Sequence, residues 1–337
     1  MDLQMLESTA QAMVAPGKGV LAIDESHGTC TKRFEAYGVK CDEESRRAYR
    51  GLLVTAPGIE EAISGYIMYD ETLRQSTNEG VPFPQFLSSK GMIPGIKVDT
   101  GAKDLALHEG EKVTEGLDGL RDRLKEYFDL GARFAKWRSV ITIGEGMPSQ
   151  ACIMANAHGL ARYAALCQEA GLVPMVEPEI LIEGDHSIER CAEVSEQVWT
   201  TLFEQLIEQG VHLEGTILKT SMIISGKGAA DRADAQTVAE MTVKALKAHV
   251  PENLAGVVFL SGGQSPKEST LHLDLMNKIG DMPWPLSFSY GRAIQGPTLD
   301  IWAKDHDAVE AAQASLFHRA QMNGLAARAE YNPEIDA

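Results

Sequence analysis

Eight short apolar runs recur along this chain, and most are separated by stretches with helical spacing. The runs cover 19–24, 63–69, 93–99, 133–140, 173–179, 215–219, 256–263 and 286–292. Helical patterns are predicted near 2–14, 42–54, 116–130, 149–170, 187–209, 234–249 and 266–278, with 298–329 helical in two pieces. The connection 72–92, rich in Pro and Gly, reads as a surface loop or excursion. Strand alternating with helix implies parallel strands joined by right-handed crossovers. Eight such units close most naturally into a (β/α)8 TIM barrel, with helices outside and reactive groups at the carboxyl ends of the strands. An open doubly wound sheet is the alternative, and it is weaker because no Gly-rich nucleotide turn follows the first strand. Gly17, Gly19 and Ala22 superficially fit a dinucleotide fingerprint, but they precede the strand instead of following it. The expected organisation is one barrel domain over 1–337, with an N-terminal helix and a polar, mobile tail from about 331 to 337.

The ends of the runs carry the chemistry. Lys219 closes a β-branched stretch, Gly215-Thr-Ile-Leu-Lys219, where a buried strand should end. Burying an ammonium is costly unless it is paired or loses its proton, and a neutral lysine is a nucleophile able to form a Schiff base with a carbonyl. The bland alternative is a lysine just past the strand, its head in water. Other runs end in the same way: Asp24, Lys97 with Asp99, Lys136 with Arg138, Glu177 with Glu179, then Ser261 and Arg292. Residues two apart share a face of a strand, so each charged pair points one way, toward the barrel mouth. A catalytic mouth is favoured over a purely structural ion-pair network, which barrels also contain. Ser261-Gly262-Gly263 and Tyr290-Gly291-Arg292 follow runs seven and eight, where such barrels often bind phosphate.

The net charge of −17 disfavours non-specific binding to nucleic acid or an anionic membrane. An anionic substrate must then rely on a local cluster of Lys and Arg. Five cysteines without a C-x-x-C pair suggest reduced thiols and a cytoplasmic setting. The first residues match neither a signal nor a transit peptide, and no apolar run approaches the length of a membrane span. The nine histidines show no metal-ligand spacing, so no metal and no cofactor are expected.

The segments LAIDES, GIKVD, FAKWR, VEPEIL, EGTILK, LSGGQS and FSYGRA, in that order, resemble class I fructose-bisphosphate aldolase. VPFPQ at 81–85, GLDGL at 116–120 and GDH at 184–186 match as well, so the likeness spans about residues 7–332. The resemblance implies Lys219 as the Schiff-base lysine that attacks the ketone of fructose 1,6-bisphosphate. It implies Lys136 and Glu177 in proton transfer during carbinolamine formation and dehydration, and Asp24 as acceptor of the C4 hydroxyl proton. Glu179 and Arg138 would hold Lys136 and the substrate in register. Ser261, Gly262, Gly291 and Arg292 would grip one phosphate, and Ser26, Thr29 and Lys97 the other. Phosphorylated ketoses and trioses are the implied partners, and a homotetramer the implied assembly.

Three departures from the family pattern stand out. Thr29 replaces the usual serine but keeps a hydroxyl, and Thr220-Ser221 replaces Pro-Asn after the Schiff-base lysine. The terminal tyrosine of animal members has no counterpart at Ile335-Asp336-Ala337, and Tyr331 is not an evident substitute. Two other readings stay open at this point: a Schiff-base aldolase or transaldolase for another sugar phosphate, such as sedoheptulose bisphosphate, and a non-catalytic phosphosugar-binding scaffold. Competing pushes act on Glu177, from burial beside Lys136 and Glu179, and residue order alone leaves the winner undecided.

Overall fold

Each apolar run becomes a strand, and the eight strands pair in chain order, all parallel, in the computed structural model, which describes residues 2–336. They are Gly19–Ile23, Ile63–Met68, Ile93–Lys97, Phe134–Ile141, Val173–Ile180, Ile217–Thr220, Gly256–Phe259 and Leu286–Phe288. The seam between the first and last strands is held by the Ala22 N–H, which donates to the Tyr290 carbonyl at 3.0 Å. Below it, the Ser287 hydroxyl donates to the Lys18 carbonyl at 2.6 Å. The sheet therefore curls into a (β/α)8 barrel with helices around it.

Alternation along the strands divides the barrel interior into two storeys. Val20, Ala22, Phe134, Val173, Met175, Ile217 and Val258 form one apolar cluster, and Leu6, Ala10 and Met13 of the N-terminal helix Leu3–Met13 belong to it. That helix stoppers the lower end of the barrel. Continuing each strand in steps of two from this plug gives Asp24, Lys136, Arg138, Glu177, Glu179 and Lys219, so the inward face turns from apolar to charged toward the carboxyl ends. Gly95 is needed for the plug, because a Cβ there would lie 2.1 Å from the Phe134 ring. The outward faces pack against the helices in the larger core, which includes Leu21, Ile96, Trp137, Leu218 and Phe259.

Several segments differ from the expectation. The connection 72–92 contains the second half of the helical turn Asp70–Leu73 and the helix Phe83–Ser89, which has Pro84 in its first turn, where a missing N–H costs nothing. A nine-residue helix, His27–Glu35, follows the first strand, and an antiparallel hairpin of Gly101–Asp104 and Lys112–Glu115 follows the third. The expected helix 116–130 begins at Leu120, after Gly119 in the left-handed region. The last helical stretch begins earlier than expected, as Arg292–Lys304 and Val309–Ala326. The polar tail docks onto the body. Tyr331 and Asp336 are buried, and the Asp336 carboxylate accepts from Arg319 at 2.6 Å and from the Tyr331 hydroxyl at 2.8 Å. The buried Arg319 guanidinium thus holds the tail through the Asp336 carboxylate. Among the described residues no helix is long and apolar enough to cross a membrane.

Candidate active site

A cavity of about 830 Å³ opens at the carboxyl ends of the strands. Asp24, Ser26, Thr29, Lys97, Lys136, Arg138, Glu177, Glu179, Lys219, Ser261, Gly262, Gly291 and Arg292 all line it. At its floor two lysines face one carboxylate. Lys219 Nζ lies 3.1 Å from Glu177 Oε1, and Lys136 Nζ lies 3.3 Å from Glu177 Oε2 and 2.6 Å from Asp24 Oδ2. All three members of the Lys–Glu–Lys row are buried, with 3–4% of their surface exposed. Among the described residues Glu177 Oε2 makes no hydrogen bond and faces Lys136 as an ion pair only.

The walls brace this row. Arg138 Nε pairs with Glu179 Oε2, and the register that sets Arg138 beside Glu177 comes from the pairing of strands four and five. Lys97 Nζ pairs with Asp99 Oδ1 at 2.8 Å, and Asp99 Oδ2 also accepts the Arg138 N–H at 3.2 Å. Charges on the floor are balanced, while at the rim Lys32 and Arg292 have no ion-pair partner among the described residues. In a chain of net charge −17, those rim cations favour an anionic group entering beside them.

Burial alone would raise the Asp24 carboxyl, but Lys136, Lys219 and Lys97 outweigh it and hold the pKa at about 2. Asp24 is therefore a carboxylate at neutral pH. Burial likewise pushes Glu177 up, and Lys136, Lys219 and Arg138 push it down; the cations win, and Glu177 sits below the usual carboxylate range. Burial disfavours the charged form of Lys136, yet Asp24, Glu177 and Asp99 raise its pKa above that of a free lysine.

The Asp24 shift has a consequence for acid stability. A depressed carboxyl adds stability that is fully present above its unfolded pKa and lost as pH falls through its folded one, here from 3.8 down to about 2. Urea melts are expected to show the stability advantage of wild type over Asp24→Asn shrinking by about 2 kcal/mol between about pH 4 and about pH 2. An advantage that stays constant across that window would mean the lysines do not hold the carboxyl down.

Tyr69, which closes the second run, also lines the cavity, as do Lys32, Arg33 and Gln295, which strand ends do not reveal. Lys32 and Arg33 belong to the helix His27–Glu35, where Arg33 is paired to Glu25 at 2.5 Å. The available signal was Ser26 as a cap residue with Lys32-Arg33 in the last turn behind it. The Ser26 and Thr29 hydroxyls lie 3.2 Å apart on the cavity wall. Gly262, with φ of +53°, lets the chain turn back after the seventh strand beside Ser261. His27 pairs with Glu71, and His186 is buried outside the cavity with neither ring nitrogen partnered among the described residues.

Such a site, with a buried amine, a shared proton acceptor, a carboxylate base and two rims for anions, fits imine chemistry on a phosphorylated carbonyl compound. Comparison with known proteins points the same way. The profile of the family "Fructose-bisphosphate aldolase class-I" matches residues 5–337. A probable class 1 fructose-bisphosphate aldolase of Xanthomonas campestris is 60% identical over 97% of this chain and 98% of its own length. The cytosolic fructose-bisphosphate aldolase 4 of Arabidopsis thaliana is 48% identical, covering 97% of this chain and 83% of its own. Among solved structures, fructose-bisphosphate aldolase from Plasmodium falciparum superposes with a TM-score of 0.96 at 46% identity, over 98% of this chain and 95% of that one.

Proposed function

The chain belongs to the class I fructose-bisphosphate aldolase family, and on that footing we propose that Lys219 is the amine through which it works. The reaction is the reversible cleavage of fructose 1,6-bisphosphate to dihydroxyacetone phosphate and glyceraldehyde 3-phosphate, a metal-independent lyase step of glycolysis and gluconeogenesis. The observation that carries the assignment is the row of Lys136, Glu177 and Lys219, with one carboxylate between two buried ammonium groups.

Lys219 gives a proton to Glu177, 3.1 Å away, and the neutral amine attacks C2 of the ketose; a second nitrogen proton passes to the C2 oxygen, which gives the carbinolamine. Protonation of Glu177 is linked to the charge on Lys219: once the amine is neutral, Glu177 has lost one of the cations that kept it ionised. The protonated carboxyl then returns the proton as the carbinolamine loses water. The resulting iminium draws electrons from the C3–C4 bond as Asp24 removes the proton from the C4 hydroxyl. Lys136, 2.6 Å from Asp24 and 3.3 Å from Glu177, keeps both carboxylates oriented and relays charge between them. Glu179 holds Arg138 at the wall. Ser261, Gly262, Gly291 and Arg292 receive one phosphate, and Ser26, Thr29 and Lys97 the other. Since Asp24 serves the C4 oxygen and Ser26 follows it by two residues, the C6 phosphate belongs to the Ser26 end.

Borohydride added with fructose 1,6-bisphosphate is expected to fix substrate on Lys219, read by peptide mass, while EDTA leaves turnover unchanged. Label on another lysine, or activity lost to chelation, would reject the assignment. A homotetramer and a cytosolic setting complete the proposal, on the family likeness and the cytosolic Arabidopsis relative. A light-scattering mass of about four subunits would support the assembly.

A further inference from the structure

The second barrel strand sends only Tyr69 into the cavity. Two residues on, Glu71 turns into a neighbouring cluster of buried cations. Arg46 grips its carboxylate with two prongs, Nε to Oε1 at 2.8 Å and Nη2 to Oε2 at 2.6 Å. Arg50 Nη1 reaches Oε1 at 3.4 Å, and His27 Nε2 lies 3.1 Å from Oε2. Arg46 and Arg50 sit one turn apart on the helix Glu43–Val54, and both are buried.

Arg50 does not stop at Glu71. Its other prong, Nη2, donates to the Glu25 carbonyl at 2.5 Å. Glu25 lies between Asp24 and Ser26, and His27 is the first residue of the helix that carries Thr29. One carboxylate thus restrains this loop twice, through Arg50 onto the Glu25 carbonyl and through His27 at the helix start. Without Glu71, the buried Arg50 would hold that carbonyl with its charge uncompensated, an arrangement that low-dielectric surroundings penalise.

We propose that Glu71 is a positioning residue for the phosphate end formed by Ser26, Thr29 and Lys97, and that it sets the preference for ketose bisphosphates over ketose 1-monophosphates. The inference rests on the assignment of the C6 phosphate to that end. Glu71 touches neither substrate nor reacting atoms; it acts by holding the 25–29 backbone where two hydroxyls and Lys97 converge on one anion. A loop displaced by even an ångström loses those contacts, while the row of Lys136, Glu177 and Lys219, carried by strands four to six, stays in place.

The test compares kcat/KM for fructose 1,6-bisphosphate and for fructose 1-phosphate, which lacks the C6 phosphate. Glu71→Gln should lower the bisphosphate-to-monophosphate ratio by about tenfold or more, chiefly through KM. Because glutamine leaves a surplus buried cation, Glu71→Gln with Arg46→Leu is measured alongside, with thermal melts showing both folded at the assay temperature. The double variant should show the same lowered ratio, since Arg50 has still lost its anchor. Thr29→Val serves as the reference for the phosphate end and should lower the ratio as well. Equal losses on both substrates in the Glu71 variants would mark a merely structural cluster and overturn the inference. So would a wild-type ratio in those variants while Thr29→Val lowers it. A wild-type ratio in Thr29→Val would instead overturn the phosphate assignment itself, and the role of Glu71 with it.

Discussion

Lys219→Met is expected to reduce kcat by about 10⁴-fold or more and to abolish borohydride trapping, while leaving the protein folded, at a stability cost limited by the second partner of Glu177. The first part follows from chemistry: no neighbouring amine can take over the imine. Lys136 is engaged by Asp24 at 2.6 Å and kept protonated by the carboxylates around it. The second part follows from the charge pattern. Methionine approximates the length and volume of the lysine stem, and its removal of charge orphans nothing, because Glu177 keeps Lys136 as its partner. Replacing a whole buried ion pair by apolar side chains is often neutral or stabilising, whereas removing one member leaves the other's charge desolvated; here Lys136, still beside Glu177, limits that cost. Lys219→Arg makes the complementary control: it keeps the charge beside Glu177 but supplies no amine able to form an imine at neutral pH. Residual turnover above about 1% of wild type in both variants, or covalent label elsewhere, would remove Lys219 from the mechanism.

The legible part of this site was legible for one reason. Charged residues standing two apart inside otherwise apolar runs, as in Phe134-Ala-Lys136-Trp-Arg138 and Val176-Glu177-Pro-Glu179, have only the barrel mouth in which to be hydrated or paired. That argument reaches every group lying on a strand. It does not reach His27–Glu35, whose only buried residues are Cys30 and Phe34, too few to mark an apolar stripe, so Arg33 was missed. The hairpin was missed for a similar reason: Gly-Ala-Lys-Asp and Lys-Val-Thr-Glu are four residues each and mostly polar. Glu71 lies just beyond its strand, and its importance comes from Arg46 and Arg50, some twenty residues earlier and joined to it only by the fold. The balance at Glu177 was undecidable for another reason. It depends on three cations approaching the carboxylate closely enough to outweigh its burial, and residue order does not contain those distances.

Glu177→Gln should therefore do more damage than any other single change at the floor that leaves the nucleophile intact. Glutamine keeps the shape and can accept hydrogen bonds, but it removes the negative charge between two buried ammonium groups. Breaking a buried pair by removing one partner costs about 3–5 kcal/mol, because the surviving charge stays desolvated. Here two cations are affected, although Lys136 retains Asp24 as a partner. Lys219 has no other ion-pair partner among the described residues, so its side chain carries most of the penalty. Catalysis suffers separately: with no group to take and return the proton in carbinolamine formation and dehydration, kcat should fall by about 10²–10⁴-fold. Glu179→Gln provides the contrast. It frees Arg138, whose side chain is 41% exposed and can turn to water, so the stability cost should stay within about 1 kcal/mol. Adding Lys219→Met to Glu177→Gln separates the two effects, because it removes the cation left without a partner: stability should recover, while turnover remains absent. If Glu177→Gln alone melts with wild type and forms the trapped imine at the wild-type rate, the shared carboxylate neither stabilises the floor nor moves the proton.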